Sequence, residues 1–259
     1  MLAITDLQAI LSVISGLIVG FSLGLIGGGG SILAIPLLIY FVGFDHPHVV
    51  IGTTALAVGI NAFLNLIPHA RKKHVNFKEG ILFSIPGIIG VLIGAELGLI
   101  TPGSKLLFIF GILMIIIAGY MLKRKCVEVA AEPLHNMSLS KMLTIGFLVG
   151  FASGFFGIGG GFLIVPGLIY AGALNIIQAV GTSLISVGAF GVVTAIRYAI
   201  GGDINIVISV LYIVGGIVGG WIGTYYASKV SKRLLTKIFA IIIILVAVYM
   251  MYMNLSAFL

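Results

Sequence analysis

The chain has 259 residues, 60% of them apolar and only 8% charged, with a mean hydropathy of +1.28. An ordinary soluble domain carries about 25% charge, so this composition excludes most soluble folds and places the bulk of the chain in lipid. The net charge of +7 does not indicate nucleic acid, because the basic residues stand in short clusters between apolar segments and never interleave with aromatic residues as a stripe. Positive-inside topology accounts for them instead.

The amino-terminal stretch carries Asp6 where a signal peptide would carry Lys or Arg, so Leu7 onward reads as the first membrane element. In chain order the apolar elements fall at about 7–26, 32–44, 49–67, 81–100 and 106–122, then at 142–156, 162–173, 176–196, 204–227 and 234–252. The 37 glycines suit packed membrane helices, and the alternating ten-residue segments of a β-barrel are absent. The expected fold is an all-α polytopic bundle. The stretch 123–141 is the substantial hydrophilic linker, and it divides a first membrane repeat, 1–122, from a second, 142–259. It holds the single cysteine, Cys126, which excludes an intrachain disulfide and a multi-cysteine metal site.

The two halves match in sequence. Residues 20–40 align without gaps on 150–170, with 11 of 21 positions identical, and after one deleted residue IGTTAL at 51–56 lies on VGTSLI at 180–185. Five crossings per repeat would invert the second copy. The basic residues agree, since alternating loops place 12 of the 14 on one side: Arg71, Lys72, Lys73 and Lys78, then Lys123, Arg124, Lys125 and Lys141, then Lys229, Lys232, Arg233 and Lys237. That side is cytoplasmic by the positive-inside rule, which leaves both termini outside. The expectation is two inverted five-element repeats.

The second element of each half is too short to cross. Thirteen residues, Ile32 to Phe44, reach about 20 Å against a hydrocarbon core of about 30 Å. It follows Gly27, Gly28, Gly29 and Gly30 in the first copy, and Gly157, Gly159, Gly160 and Gly161 in the second, with Pro36 and Pro166 further on. Freed backbone in lipid must be enclosed by protein or line a wet cavity. Amides at the start of a short helix bind anions, and inverted transporters hold substrate between broken helices near the midplane. The candidate substrate-lining set is therefore Gly28, Gly29, Gly30 and Ser31 with Gly159, Gly160 and Gly161, close packing alone being the other reading of these glycines. Gly16, Gly20, Gly24, Gly146, Gly150 and Gly154 stand at every fourth position and read as helix packing.

Thr53 and Thr54 after Gly52, with Thr182 and Ser183 after Gly181, add hydroxyls at matched positions. They either bond back to their own helix carbonyls or join the ligand set. Gln178, Asn175, Asn61 and Asn65 are further uncharged polar groups in apolar elements, each able to line a path, and Gln178 joins the candidate substrate-binding set. Arg197 is a basic residue of the outward loops, read as an interfacial anchor, a partner of Asp203, or a source of positive potential at an outer mouth. Asp45, His46 and His48 make at best a weak metal site, so no metal or other cofactor is expected. No catalytic constellation is present, and the chain does not read as an enzyme.

The doubled glycine break with its proline, followed by Gly52-Thr53-Thr54 and Gly181-Thr182-Ser183, resembles the TauE/SafE sulfite exporter family of membrane permeases over essentially the whole chain. The resemblance implies transport of small sulfur-containing anions such as sulfite or sulfonates, and sometimes other organic anions, across a prokaryotic plasma membrane. The run Arg71-Lys72-Lys73 and Glu96 depart from that pattern. Expected partners are a small anionic substrate and the lipid bilayer, with no nucleic acid. A passive anion channel and a membrane assembly protein are the alternative functions.

Overall fold

The computed structural model describes residues 5–123, 137–157, 159–226 and 232–255. Cys126 and most of the central linker lie outside them. The described residues form helices α1 (Asp6–Ile26), α2 (Ala34–Pro36), α3 (Pro47–Arg71), α4 (Phe77–Ile100), α5 (Gly103–Lys123), α6 (Leu139–Phe156), α7 (Gly161–Gly172), α8 (Ile176–Ile200), α9 (Ile206–Tyr226) and α10 (Lys232–Met253). Six of these, α1, α3, α4, α6, α8 and α9, are long and apolar enough to cross a membrane. Most of the helices run a few residues beyond the apolar stretches, and side chains cap some of their starts. Thr5, for example, caps α1 through a reciprocal bond with Gln8.

The largest departure from the expected elements is at the first glycine run. Residues Gly27–Leu33 form a tight 3₁₀ coil, one α-turn follows at Ala34–Pro36, and Leu37–Phe41 widen into a π turn. The run turns at Gly27 and stays coiled afterwards because Gly30, Ser31 and the residues through Pro36 are buried against protein, where their backbone is shielded from lipid. Each short segment folds back along the helix before it. The Ser138 amide donates to the Ala171 carbonyl at 3.1 Å, joining the start of α6 to the end of α7. The Gln8 side chain likewise reaches the Gly43 carbonyl at 3.5 Å.

Glycine positions decide which helices pair. A Cβ at Gly16 would strike the Tyr212 backbone, one at Gly20 that of Gly216, and one at Gly24 that of Gly220. The matched glycines of α6 do the same to α4: Gly146 abuts Phe83, Gly150 abuts Gly87, and Gly154 abuts Val91. Residue numbers rise together in both pairs, so α1 runs parallel to α9 and α6 parallel to α4. Helix α3 and its sequence counterpart α8 instead run antiparallel: Gly52 lies against Asp203, Gly59 against Gly191, and Gly181 against His74. Exchanging the halves turns the α1–α9 pairing into the α6–α4 pairing and leaves α3–α8 as it is. Outward faces carry large apolar side chains, among them Ile85, Ile89 and Ile93 of α4 and Val210, Val214 and Trp221 of α9, the surface a bundle presents to lipid.

Backbone contact of this kind leaves no room for a methyl group. Gly150→Ala is expected to lower the melting temperature in detergent, an overpacking cost of about 1–3 kcal/mol. Gly119→Ala, in α5 with nothing within 4 Å of the added carbon, should leave it unchanged or raise it, because Ala favours helix by about 1 kcal/mol over Gly. Thermal unfolding followed by Trp221 fluorescence checks both.

Candidate functional site

The two glycine breaks meet inside the bundle. The coil at Gly27–Leu33 packs against α7, and both touch α8. Gly27 takes φ 71° and ψ −146°, a conformation open in practice only to glycine. In the second copy Gly157, Gly159 and Gly160 take φ of 69°, 66° and 62°, the left-handed region that an L side chain resists. A Cβ on Gly159 would lie 3.3 Å from Val187 and 3.5 Å from Val58. These two valines occupy matched positions of α8 and α3, so Gly159 sits where the counterpart helices cross. Helix α7 begins at Gly160 with no side-chain cap. In that turn the Leu163 amide donates to the Gly160 carbonyl at 2.9 Å and no side chain accepts from the amides before it, an arrangement that suits an anion. Seen from the Ala171 end, the break lies about 18 Å down a twelve-residue helix.

The hydroxyl pairs are placed differently from each other. Thr53 Oγ1 accepts from the Asn205 amide at 2.9 Å, and Thr182 Oγ1 accepts from the Asn76 amide, also at 2.9 Å. Asn205 and Asn76 precede α9 and α4, so the first hydroxyl of each pair ties the start of a helix in the other half. Ser209 adds a bond to the Thr53 carbonyl at 3.2 Å. The second hydroxyls turn toward their own helices: Thr54 donates to the Val50 carbonyl at 2.7 Å and Ser183 to that of Val180 at 2.8 Å. Ser183 Oγ also faces the break, 3.0 Å from where a Cβ on Gly27 would stand. Ser31 is buried within the first coil, and Gln178 is half-buried in the first turn of α8, its amide capped by Asn175 Oδ1 at 2.9 Å. The structure thus gathers the glycines, Ser31 and Ser183 around one junction and puts Thr53 and Thr182 at the helix starts beyond it.

Arg197 pairs with Glu96, not with Asp203. Its Nη2 donates to Oε2 at 2.7 Å and its Nε to Oε1, a fork-to-fork contact between the ends of α8 and α4. Asp203 turns back toward Gly201 and takes its amide hydrogen bond to the Tyr198 carbonyl at 3.0 Å. The closure of α4 onto α8 that makes this pair possible is not visible in local sequence, where Asp203 is the nearer acid. One buried ionisable group also escaped sequence reasoning. His69 precedes Arg71-Lys72-Lys73 and reads as part of a basic loop, yet it lies in the last turn of α3 and is buried. Its register with Asn61 and Asn65, at four-residue spacing, was the signal available.

The family described as Sulfite exporter TauE/SafE matches residues 12–250. A "Probable membrane transporter protein" of Xylella fastidiosa (strain Temecula1) is 45% identical over 249 residues, covering 94% of this chain and 95% of its own. "Probable membrane transporter protein YunE" of Bacillus subtilis is 28% identical over 265 residues, covering 94% and 97%. An archaeal relative, "Probable membrane transporter protein MJ0441" of Methanocaldococcus jannaschii, is 32% identical over 166 residues, covering 62% and 61%. No solved structure matches.

The cross-half bonds give a direct test. Thr53→Val and Thr182→Val each leave a partly buried amide without its acceptor, at a cost of about 1–3 kcal/mol. Both should lower the melting temperature in detergent, and Thr53→Ser should restore it. Thr54→Val should cost less, because the carbonyls it releases keep their intrahelical bonds.

Proposed function

The chain belongs to the sulfite exporter TauE/SafE family, and from that premise we propose that it is a secondary transporter of small sulfur-containing anions, sulfite or sulfonates, held at the paired glycine breaks near the bilayer midplane. The coarser statement stands on the family itself: this is a multi-pass membrane transporter and not an enzyme. The observation that carries the finer reading is the uncapped start of α7 behind three left-handed glycines, facing the first break across a buried junction. Successive glycine amides approach an anion without side-chain obstruction, and enclosure in a dry bundle strengthens each bond they make. In this reading Gly28, Gly29, Gly30, Gly159, Gly160 and Gly161 supply backbone donors, and Ser31 and Ser183 supply hydroxyls. Arg197 stands at the outer mouth as one member of a compensated pair, so its pull on an anion is short-ranged.

The same reading makes the halves inverted in the membrane, with 123–141 a cytoplasmic linker. The antiparallel crossing of α3 and α8 supports it, because counterpart helices of an inverted repeat must run in opposite directions. So does the return of each short segment to the side from which the helix before it set out.

Uptake of sulfite, sulfoacetate, taurine and thiosulfate into proteoliposomes tests the site. Gly159→Val and Gly160→Val should abolish transport per folded protein, whereas Gly146→Ala should mainly lower stability and leave transport per folded protein near that of the parent. Equal loss in both groups refutes a substrate role for the breaks. Topology has its own readout in Cys126: a membrane-impermeant maleimide should label it in inverted vesicles and not in intact cells, and labelling from outside overturns the inverted arrangement.

A further inference from the structure

His69 is the one Asp, Glu, Lys, Arg or His side chain buried among the described residues, at 3% exposure. It ends a column on one face of α3. The Asn61 amide lies against Gly216 of α9 and the Asn65 amide against Gly220, with Asn65 Nδ2 donating to the Asn61 carbonyl at 2.9 Å. His69 follows one turn later. Neither of its ring nitrogens meets hydrogen-bond geometry with a protein partner, nor do Asn61 Oδ1 and Nδ2 or Asn65 Oδ1. The Gly24 carbonyl of α1 faces the ring, one turn before the break at Gly27.

Packing alone does not ask for this chemistry. The matched positions of α8 are Phe190, Thr194 and Tyr198, which fill the same place with an aromatic ring, a small hydroxyl and a phenol that stays neutral at physiological pH. A free imidazole titrates near about pH 6.5, so histidine is the side chain whose charge a neighbouring anion most readily changes at physiological pH. The end of α1 offers a carbonyl acceptor to an imidazolium. The last carbonyls of α1 stand at the negative end of that helix dipole. The charged groups facing His69 are Lys72 and His74 of the following loop, the His74 ring centroid 6.1 Å away. Neither α1 beyond Asp6, nor the break segment through Phe44, nor α9 contains Asp, Glu, Lys, Arg or His.

Resting on the transport reading above, we propose that His69 is the proton-binding group that couples anion movement to the proton gradient, its protonation placing a positive charge beside the Gly27 break as the anion binds. Proton and anion then bind together. By linkage each raises the affinity for the other by the same factor. Asn61 and Asn65 orient the path along α3, and His74, its ring 6.1 Å from that of His69, stands at the cytoplasmic end of that path.

The experiment uses purified protein in proteoliposomes with sulfoacetate as probe, measuring accumulation driven by an imposed pH gradient and, separately, counterflow at equal pH. The wild type should show both. His69→Gln, and His69→Tyr carrying the counterpart's side chain, should lose gradient-driven accumulation and keep counterflow. Gradient-driven accumulation retained in the variants overturns the proposal, and so does parallel loss of both modes in folded protein. If the wild type moves none of sulfite, sulfoacetate, taurine or thiosulfate in either mode, the substrate reading has failed and His69 is judged by ¹⁵N-histidine spectra in nanodiscs. A resonance absent from His69→Gln that titrates between about pH 5 and 8 upholds a proton site. One that does not titrate overturns it.

Discussion

Backbone-to-backbone contact through glycine governs this molecule. In lipid there is no hydrophobic force to draw helices together, so association depends on close packing. The glycine ladder of α1 against α9, and its counterpart in α6 against α4, lets carbonyls of one helix touch the glycines of the next. Both pairs join one half of the chain to the other. Neither half assembles these contacts from its own helices, so the repeats fold as one interlocked unit.

That interlock fixes the breaks. Each short segment turns back beside the helix that precedes it and is held from outside by a helix of the opposite half, Gly27 against Val180 of α8 and Gly157 against Ile51 of α3. Enclosure by protein is what permits a left-handed glycine run at membrane depth. The Thr53–Asn205 and Thr182–Asn76 bonds close the same frame at the starts of α9 and α4. Thr53 and Thr182 thereby hold the starts of helices in the other half, while the start of α7 at the second break carries no side-chain cap.

The halves are alike in frame and unlike in lining. The first break coils into a 3₁₀ turn and the second stays open over several glycines. The face of α3 presents Asn61, Asn65 and His69 where α8 presents Phe190, Thr194 and Tyr198. Duplication explains the shared frame, since packing positions tolerate little change once glycine backs onto backbone. The differences fall at positions where a side chain points into enclosed space, and there one half is free to acquire polar groups that the other lacks.

Much of this was legible in the sequence. Composition alone dictates a membrane bundle, because lipid rejects charge and requires every backbone group to be satisfied within a helix. Apolar runs locate the helices other than the short segment after the first glycine run to within a few residues, and the repeat at 20–40 and 150–170 locates both breaks, because glycine at positive φ has no ready substitute. Three things required the tertiary structure. The pairing of α1 with α9 joins residues almost two hundred apart, and no local pattern encodes which small-residue face meets which. Arg197 chose Glu96 over the nearby Asp203 because the ends of α4 and α8 converge while the turn after α8 directs Asp203 elsewhere. His69 looks solvated beside three basic neighbours, and only the closure of α1 and α9 over the end of α3 removes it from water. Sequence carries periodicity and backbone constraint, which act within a few residues; partner choice and burial depend on surfaces that exist only after the chain has folded.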